Sequence, residues 1–290
     1  RNQRRFALGG LAALGLGWLL LWRLGSLNGG LSGQEAAAAN ATYGWHGLYH
    51  HPFYLTLDIL RSLVYFGFQH HGQLLTRLPN VLVGSLTIVA FAWLIRLWHG
   101  TRTAVLTGLL FACSAWVLHV SRLASPDVLY LAALPLLLVV HLKLQQDQKA
   151  RYFYGSLLLW GVLLYVPGLI WLLVLEIWWQ RESLAKGWRR LTGLGERILY
   201  ALAGLIWLPL LVINLTRPGQ LTYWLGFPAH WPTPFHYLKQ LVGVPVHLFI
   251  RGPQYPTHWL GAAPILDIFT LLMSLIGIYF YATRASSGRS

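Results

Sequence analysis

Long apolar runs, interrupted by short clusters of charge, glycine and proline, make up most of this chain. A membrane-spanning helix needs about 20 apolar residues, and windows of about that length predict eight transmembrane helices. These windows lie at 6–24, 78–98, 103–120, 127–144, 152–166, 167–180, 194–214 and 260–282. The pattern therefore predicts an all-α integral membrane protein, a polytopic helical bundle of about eight transmembrane helices.

The windows at 152–166 and 167–180 are short for spanning helices. Between them stands the sequence Tyr165-Val166-Pro167-Gly168, in which proline and glycine are typical of a tight turn. Two helices joined by a turn are therefore predicted. One long kinked helix is the alternative, and it would reverse the orientation of every later segment.

One apolar segment, HPFYLTLDILRSLVYFGF at 51–68, carries Asp58 and Arg61 in its middle. As a helix it places Leu57 and Leu60 on an apolar face and turns the two charges away from that face. A charge at the bilayer centre costs about 2.5–3.5 kcal/mol on insertion scales. The segment is therefore predicted to be a juxtamembrane helix that lies along the membrane surface.

Composition and charge agree with a membrane protein. The 290 residues are 56% hydrophobic and only 10% charged, which excludes an ordinary soluble domain. The 22 Lys and Arg residues against 8 Asp and Glu residues lie between the apolar runs and not in one basic tract, so a nucleic-acid partner is not indicated. With both termini cytoplasmic, 15 of the 22 basic residues fall on the cytoplasmic side, as the positive-inside rule requires.

On this topology, residues 1–290 form a single membrane domain with two large outer loops. The first loop, at 25–77, contains the juxtamembrane helix, and the second, at 215–258, is rich in proline and aromatic residues. Aromatic side chains are enriched at the water–lipid boundary. The single cysteine cannot form an internal disulfide, so the redox compartment is not indicated.

Two carboxylates, Glu35 and Asp127, fall at the predicted outer boundary, near Arg77 and Arg122 in the order of the loops. A carboxylate can accept a proton from an incoming hydroxyl, and a guanidinium group can hold a phosphate. Each carboxylate also has a simpler interpretation. Asp127 follows Ser-Pro and suits the first turn of a helix, and Glu35 could be a solvated loop charge.

Histidines are frequent in the first loop, including the adjacent pair His50 and His51. Their spacing matches no zinc motif, and neighbouring histidines seldom bind one ion together. Hydrogen-bonded loop histidines are therefore favoured over metal ligands. No metal ligand is assigned, and a divalent ion stays a minor possibility.

The order and spacing of HHPFYLTLDILRSLVYFG, RLPNVLVGSLTIVAFAWLIRLW and SRLASPDVLYLA resemble the membrane glycosyltransferases of family 39. This family contains the protein O-mannosyltransferases and the aminoarabinose transferases and has the GT-C fold. The resemblance implies that a sugar moves from a polyprenyl-phosphate donor to a hydroxyl or phosphate of a glycan, lipid or protein acceptor. It also implies that the reaction proceeds with inversion at the outer face of the membrane, and a bacterial plasma membrane is expected.

The same resemblance implies roles for individual residues. Glu35 matches the acid that serves as base or orients the acceptor, and Arg77 matches the arginine that holds the donor phosphate, with Arg122 as a second contact. The supporting residues are Asp127, His50, His51 and Tyr165. Many relatives carry two adjacent acids where this chain has Gln34-Glu35. The alternative is therefore a non-catalytic GT-C-like membrane protein that binds a lipid-linked glycan or a partner.

Overall fold

The fold is built from α-helices, and no strand occurs among the residues that the computed structural model describes. Those residues are 14–26, 30–42, 53–68, 72–147, 150–189, 193–217, 219–228, 231, 233–252, 264–266 and 268–287. The predicted all-α fold class is therefore confirmed.

Thirteen helical segments follow one another along the described chain, and a short 3₁₀ turn, Leu24–Ser26, follows the first of them. In chain order they are α1 (14–21), α2 (Gly33–Ala41), α3 (Leu55–Phe68), α4 (Gln73–His99), α5 (Thr101–Cys113), α6 (Ala115–Arg122), α7 (Asp127–Asp147), α8 (Ala150–Leu164), α9 (Ile170–Arg189), α10 (Gly193–Thr216), α11 (Gln220–Trp224), α12 (Pro234–Phe249) and α13 (Ile268–Ser287).

Three of these helices, α4, α7 and α10, are long and apolar enough to cross a membrane. Helices α5 and α6 would make a fourth span together, although they are bent by 64°. The span predicted at 103–120 therefore corresponds to two helices with a bend between them. The bend lies at Ser114, whose extended backbone ends α5 and begins α6. Three or four membrane-length helices are thus present in the described chain, and the eight-span topology stays a prediction.

The chain divides into two compact units, residues 1–229 and 230–290. In the first unit, α4 is the central helix and packs against α3, α5, α6 and α7. In the second unit, the segment after α12 folds back on that helix, where Ile265 and Leu266 donate backbone hydrogen bonds to the carbonyl groups of His247 and Leu248.

The predicted turn in the window pair at 152–180 separates two helices, since α8 ends at Leu164 and α9 begins at Ile170. Gly168 adopts a left-handed backbone with φ of 78°, which glycine adopts without strain. Its N–H donates to the carbonyl of Trp224, and the Trp224 indole donates to the carbonyl of Leu164. Two helices, and not one kinked helix, therefore occupy this region.

The predicted separation of faces on α3 is wrong. Asp58 and Arg61 are buried, whereas Ile59, Leu63 and Phe66 are exposed. The physical reason is that each charge finds hydrogen-bonding partners inside the protein, so burial leaves neither charge unpaired. Leu57 is buried on the same side as the two charges, and Ile59, Leu63 and Phe66 are left on the outer side of the helix.

Helices α4 and α6 cross at a point where only glycine fits. A methyl group added at Gly84 would lie 3.2 Å from the Cα atom of Ser121 and closer still to its side chain. Backbone atoms cannot yield as a flexible side chain can. The close approach of these helices therefore depends on Gly84.

We expect Gly84→Ala to destabilise the protein by about 1–3 kcal/mol, the usual cost of overpacking. Thermal unfolding of the detergent-solubilised protein measures the effect. Gly204→Ala is the matched control, because a methyl group there meets nothing within 4 Å. An equal effect of the two substitutions would contradict the importance of this crossing.

Candidate functional site

The candidate site is built around an ion pair between Glu35 and Arg77. Helix α2 begins with a capping box, in which Ser32 and Glu35 each accept a hydrogen bond from the other's backbone N–H at 3.3 and 3.0 Å. This cap fixes the Glu35 side chain. Both carboxylate oxygens then face the guanidinium group of Arg77, at 2.7 Å from Nε and 3.0 Å from Nη2.

Arg77 also holds the segment that precedes α2. Its Nη1 atom donates to the carbonyl of Leu24 at 2.9 Å, and its Nη2 atom donates to the carbonyl of Gly30 at 2.9 Å. Arg77 and Glu35 are both almost fully buried. Breaking a buried pair on one side costs far more than a surface pair contributes, so this contact anchors α2 on the start of α4.

The carboxylate of Glu35 is saturated with hydrogen bonds. It accepts from Arg77, from the N–H of Ser32 and from the N–H of Ala124, which lies 3.1 Å from Oε1. Burial by itself raises the pKa of Glu35, but the hydrogen bonds from Arg77, Ser32 and Ala124 and the charge of Arg77 outweigh it. The pKa of Glu35 is therefore lower than its ordinary value of 4.5.

The lowered pKa predicts a pH dependence of stability. The ionised Glu35 carboxylate stabilises the folded protein fully above the ordinary pKa of 4.5, and this contribution is lost as the pH falls through the lower folded-state value. Glu35→Gln cannot titrate. The advantage of the wild type in melting temperature over Glu35→Gln should therefore be constant from about pH 8 to about pH 5.5 and shrink below that. A difference that does not change with pH would contradict the ionised pair.

A second buried ion pair, Asp58 with Arg61, lies on α3. Nη1 of Arg61 donates to Oδ1 of Asp58 at 2.9 Å, and Nη2 donates to Oδ1 of Asn80 at 3.3 Å. The Nε atom of Arg61 is buried and has no hydrogen-bonding partner among the described residues. One strong donor of this side chain is thus unused.

The two ion pairs hold the backbone of the same residue, Ala124. Glu35 accepts the N–H of Ala124, and Nη2 of Arg61 donates to the carbonyl of Ala124 at 3.2 Å. The amide of Asn80 donates to the next carbonyl, that of Ser125. Helices α2, α3 and α4 are therefore joined at the link between α6 and α7.

The two other charged residues predicted for the site flank this link. Asp127 is the first residue of α7, where Ser125 donates its hydroxyl to the carboxylate and accepts the backbone N–H of Asp127. Asp127 thus lies at the first turn of a helix, as its simpler interpretation predicts. Arg122 ends α6 and donates through Nη2 to the carbonyl of Trp22.

The positive charge of Arg122 lies close enough to that of Arg77 for the two to repel each other. The Nε atom of Arg122 is buried without a hydrogen-bonding partner in the described part of the chain. Arg77 is thus paired with Glu35, and Arg122 is a second cation near Arg77 that keeps an unused donor. Such an arrangement suits a phosphate group.

A cleft of about 220 Å³ adjoins the second ion pair. Its lining includes Ala37 and Ala38 of α2, Tyr54, and both Asp58 and Arg61. Tyr54 has φ of 63°, a left-handed conformation that costs a bulky residue about 1–3 kcal/mol and that is concentrated at functional sites.

The hydroxyl of Tyr54 lies 3.4 Å from the hydroxyls of Tyr130 and Tyr223, which is long for an O–H···O bond. Burial, and then these two neighbouring hydroxyls, raise the pKa of Tyr54 far above its ordinary value. The hydroxyl therefore stays protonated and can donate a hydrogen bond at any physiological pH.

The other predicted residues lie apart from this cluster or outside the described chain. Tyr165 is buried in the turn between α8 and α9, and its hydroxyl donates to the carbonyl of Ile206 at 2.9 Å. His50 and His51 lie outside the described residues. Within the described residues, no three His, Cys, Asp or Glu side chains come together as a metal site.

Sequence reasoning missed Arg61, Asn80 and Ala124 as parts of the site. A signal was present for Arg61, because a charge within an apolar segment is usually paired and often functional. The roles of Asn80 and Ala124 have no such signal, since an amide and a backbone group do not stand out in a sequence. Only the packing of α3 against α4 brings them together.

Membrane-length helices with a buried network of paired charges define an integral membrane protein. A family model described as dolichyl-phosphate-mannose-protein mannosyltransferase matches residues 60–216, more than half of the chain. The chain belongs to this family, which confirms the resemblance found in the sequence. No curated protein and no solved structure matches the chain.

The family implies a membrane glycosyltransferase with a lipid-linked sugar donor. The matched segment contains Arg77, Arg122, Asp127 and Tyr165, whereas Glu35 lies before it. The role of Glu35 therefore depends on its contacts and on the sequence resemblance, and not on the family match.

Proposed function

We propose that this protein transfers a sugar from a polyprenyl-phosphate donor to an acceptor at the outer face of the membrane. The observation that carries the proposal is the pairing of Arg77 with the buried carboxylate of Glu35 and the presence of a second cation, Arg122, near Arg77. These charges lie where two membrane-length helices, α4 and α7, begin. A lipid phosphate at the membrane boundary and a sugar attached to it meet complementary charge there.

The proposed reaction breaks the bond between the anomeric carbon and the phosphate oxygen. The electron pair leaves with the polyprenyl phosphate, and the acceptor oxygen attacks from the opposite face, so the configuration inverts. Arg122 contacts the departing phosphate through its unused Nε donor. The hydrogen bonds of Arg77 hold Glu35, Leu24 and Gly30. Its positive charge stabilises the negative charge of the departing phosphate electrostatically.

Glu35 is proposed to be the carboxylate on which the site depends. Its contacts with Arg77 and Ala124 make it first a positioning residue. To accept the proton of an acceptor hydroxyl, it exchanges one of these donors for that hydroxyl in the substrate complex. Asp127, His50, His51 and Tyr165 are proposed to support the site and not to take part in the bond changes.

The topology proposed with this function has eight spans and both termini in the cytoplasm of a bacterial cell. The first loop, residues 25–77, is then external and carries Glu35 and the start of α4. Exposed apolar residues of α3, including Leu63 and Phe66, face the lipid surface in this arrangement. No metal ion is needed in this scheme, although a divalent ion bound to the donor phosphate is compatible with it.

A second candidate function is binding of a lipid-linked glycan or a partner without transfer. The saturation of Glu35 by four hydrogen bonds favours it, because such a carboxylate is a weak base. The neighbouring residue is the exposed Gln34. Its amide cannot serve as a base in place of a second carboxylate. Both functions predict donor binding, and only the first predicts donor consumption.

The experiment uses radiolabelled polyprenyl-phosphate mannose added to membranes that contain the protein and to membranes that lack it. Movement of label from the lipid to a glycan, lipid or protein fraction supports transfer. A donor that is bound and not consumed with any acceptor fraction supports the binding function. Absence of both binding and consumption by folded protein would contradict both.

Substitution of Arg122 tests the proposed phosphate contact. Loss of a charged hydrogen bond costs about 1.5–3 kcal/mol, so Arg122→Met should raise the KM for the donor by about 10- to 150-fold. Arg122→Lys retains the charge and should have a smaller effect. Steady-state transfer kinetics measure both variants, and an unchanged KM in Arg122→Met would exclude this contact.

A further inference from the structure

Helix α12, residues Pro234–Phe249, is exposed along its whole length. Two of its 16 residues are half-buried, and none is buried. Its large apolar side chains are among the exposed ones, and Phe235, Leu238, Leu241 and Val242 are 58–79% exposed. The described residues of the second unit thus leave these side chains uncovered. An apolar surface of this kind usually marks a site of interaction.

The polar residues of α12 lie together on one side of the helix. His236, Lys239, Gln240 and His247 follow one another at helical spacing, since the last three stand three, four and eleven residues after the first. The side-chain nitrogens of His236 and Gln240 lie 3.2 Å apart, so these side chains are neighbours on the helix surface. The exposed apolar residues named above lie on the opposite side, and α12 is therefore amphipathic.

The length of α12 excludes a complete crossing of a membrane. Its 16 residues extend about 24 Å at 1.5 Å per residue, whereas the hydrocarbon core of a bilayer is about 30 Å thick. The polar side also runs from the first turn to the last turn of the helix, and a spanning helix would bury all of it in hydrocarbon. A short amphipathic helix with these properties suits the boundary between lipid and water.

The part of the chain that contains α12 is basic. No Asp or Glu occurs between Glu196 and Asp267. Lys239 lies in α12, and Arg251 follows two residues after its end. The apolar stem of a lysine can lie along hydrophobic surface while its ammonium group stays at the lipid headgroups. This charge is complementary to the phosphate groups of an anionic lipid surface.

We propose that α12 lies along the membrane surface with its apolar side among the acyl chains, and that Lys239 and Arg251 bind the phosphate groups of anionic phospholipids. The partner of this surface is thus a lipid layer and not a second protein. The inference does not depend on the transfer reaction and goes beyond it, because it assigns a binding partner to a segment that the scheme does not use. The second loop of the predicted topology is then held at the membrane surface.

The test measures how fast a water-soluble maleimide modifies single cysteines in purified protein reconstituted in nanodiscs. Cys113→Ala removes the natural cysteine, which is exposed. Gln240→Cys and Val242→Cys are then compared, because residues two positions apart lie on nearly opposite sides of a helix. Val242→Cys should react about tenfold more slowly or less, the effect of burying one apolar side chain. A fluorophore attached at Val242→Cys before reconstitution should be quenched by brominated acyl chains.

Nanodiscs of phosphatidylcholine, with and without phosphatidylglycerol, test the preference for anionic lipid. Phosphatidylglycerol should slow the modification of Val242→Cys, because it stabilises the bound helix. Adding Lys239→Gln should raise this rate about fivefold in the anionic nanodiscs, the effect of one basic residue at an anionic surface, and change it little in the others. Lys186→Gln, which replaces an exposed lysine of α9, is the matched control and should have no effect.

Several results would overturn the inference. Two fast rates at Gln240→Cys and Val242→Cys place α12 in water, and two slow rates place it across the membrane or beneath protein. A slow rate at Val242→Cys without quenching by brominated chains indicates a protein partner. An effect of Lys239→Gln that is the same in both kinds of nanodisc would exclude the binding of anionic lipid.

A second pair of positions keeps the test decisive. Melting temperatures show whether each variant is folded, and His247→Cys with Phe249→Cys repeats the comparison of the two sides if a variant of the first pair does not fold. The modification rates do not involve sugar transfer. Failure of the proposed function therefore leaves them unchanged, and failure of this inference leaves the transfer assay unchanged.

Discussion

Replacing Arg77 by Met should destabilise the protein by about 3–5 kcal/mol, the usual cost of breaking a buried ion pair on one side. The substitution leaves Glu35 buried and charged without its guanidinium partner. It also frees the carbonyl groups of Leu24 and Gly30, which Arg77 holds at 2.9 Å. The segment before α2 should then detach from the start of α4.

Thermal unfolding in detergent measures this effect, and Arg96→Met is the matched control. Arg96 lies exposed near the other end of the same helix, where a surface substitution usually changes stability by less than about 0.5 kcal/mol. Adding Glu35→Gln to Arg77→Met should recover part of the loss, because no charge is then left buried. Equal stability of Arg77→Met and Arg96→Met would contradict the anchoring role of the pair.

Glu35→Gln should lower the turnover of sugar transfer by about 100-fold or more, since general base catalysis contributes about 10²–10⁴-fold. Glutamine has the same shape and keeps an oxygen for Arg77 and Ala124, so the KM for the donor should change little. The expected split between kcat and KM is therefore the sign of a carboxylate that acts on the acceptor proton.

The same variant distinguishes this role from positioning alone. If Glu35 only holds Arg77, the loss should appear in the KM for the donor, and Arg77→Lys should show a similar change. Steady-state kinetics with polyprenyl-phosphate mannose give both quantities. Unchanged kcat and KM in Glu35→Gln would remove Glu35 from the site.

Local signals in the sequence predicted part of the fold and of the site. The Ser-Pro-Asp sequence that begins α7 and the Pro-Gly turn before α9 act through neighbouring residues, so the sequence is enough to find them. The membrane-length runs of α4, α7 and α10 were likewise evident from composition. The proximity of Glu35 and Arg77 followed from the order of the loops and from the family resemblance.

The parts that sequence reasoning missed depend on contacts between distant segments. Helical periodicity shows which residues share a face of α3, but not which face is buried. The answer lies in Asn80 of α4 and Ala124 of the link between α6 and α7, whose oxygen atoms accept hydrogen bonds from Arg61. No proline or glycine lies next to Ser114, so the sequence does not predict the bend within the window at 103–120.

The family match and the charge network cover different parts of the chain. The match to residues 60–216 establishes the family, and the contacts of Glu35 extend the network to a segment before that match. If the site works as proposed, the segment around Glu35 is as important for transfer as the matched helices. If the protein only binds its lipid, the same contacts serve to hold the fold.

The most direct test of the account is the release of sugar-free polyprenyl phosphate from polyprenyl-phosphate mannose by purified protein in liposomes supplied with an acceptor fraction. This readout follows the bond that breaks and does not require the acceptor to be identified. The account predicts release that is proportional to the amount of wild-type protein and lost in Glu35→Gln. Release that is equal in the wild type and in Glu35→Gln, or a wild type that binds the donor and never releases polyprenyl phosphate, would contradict it.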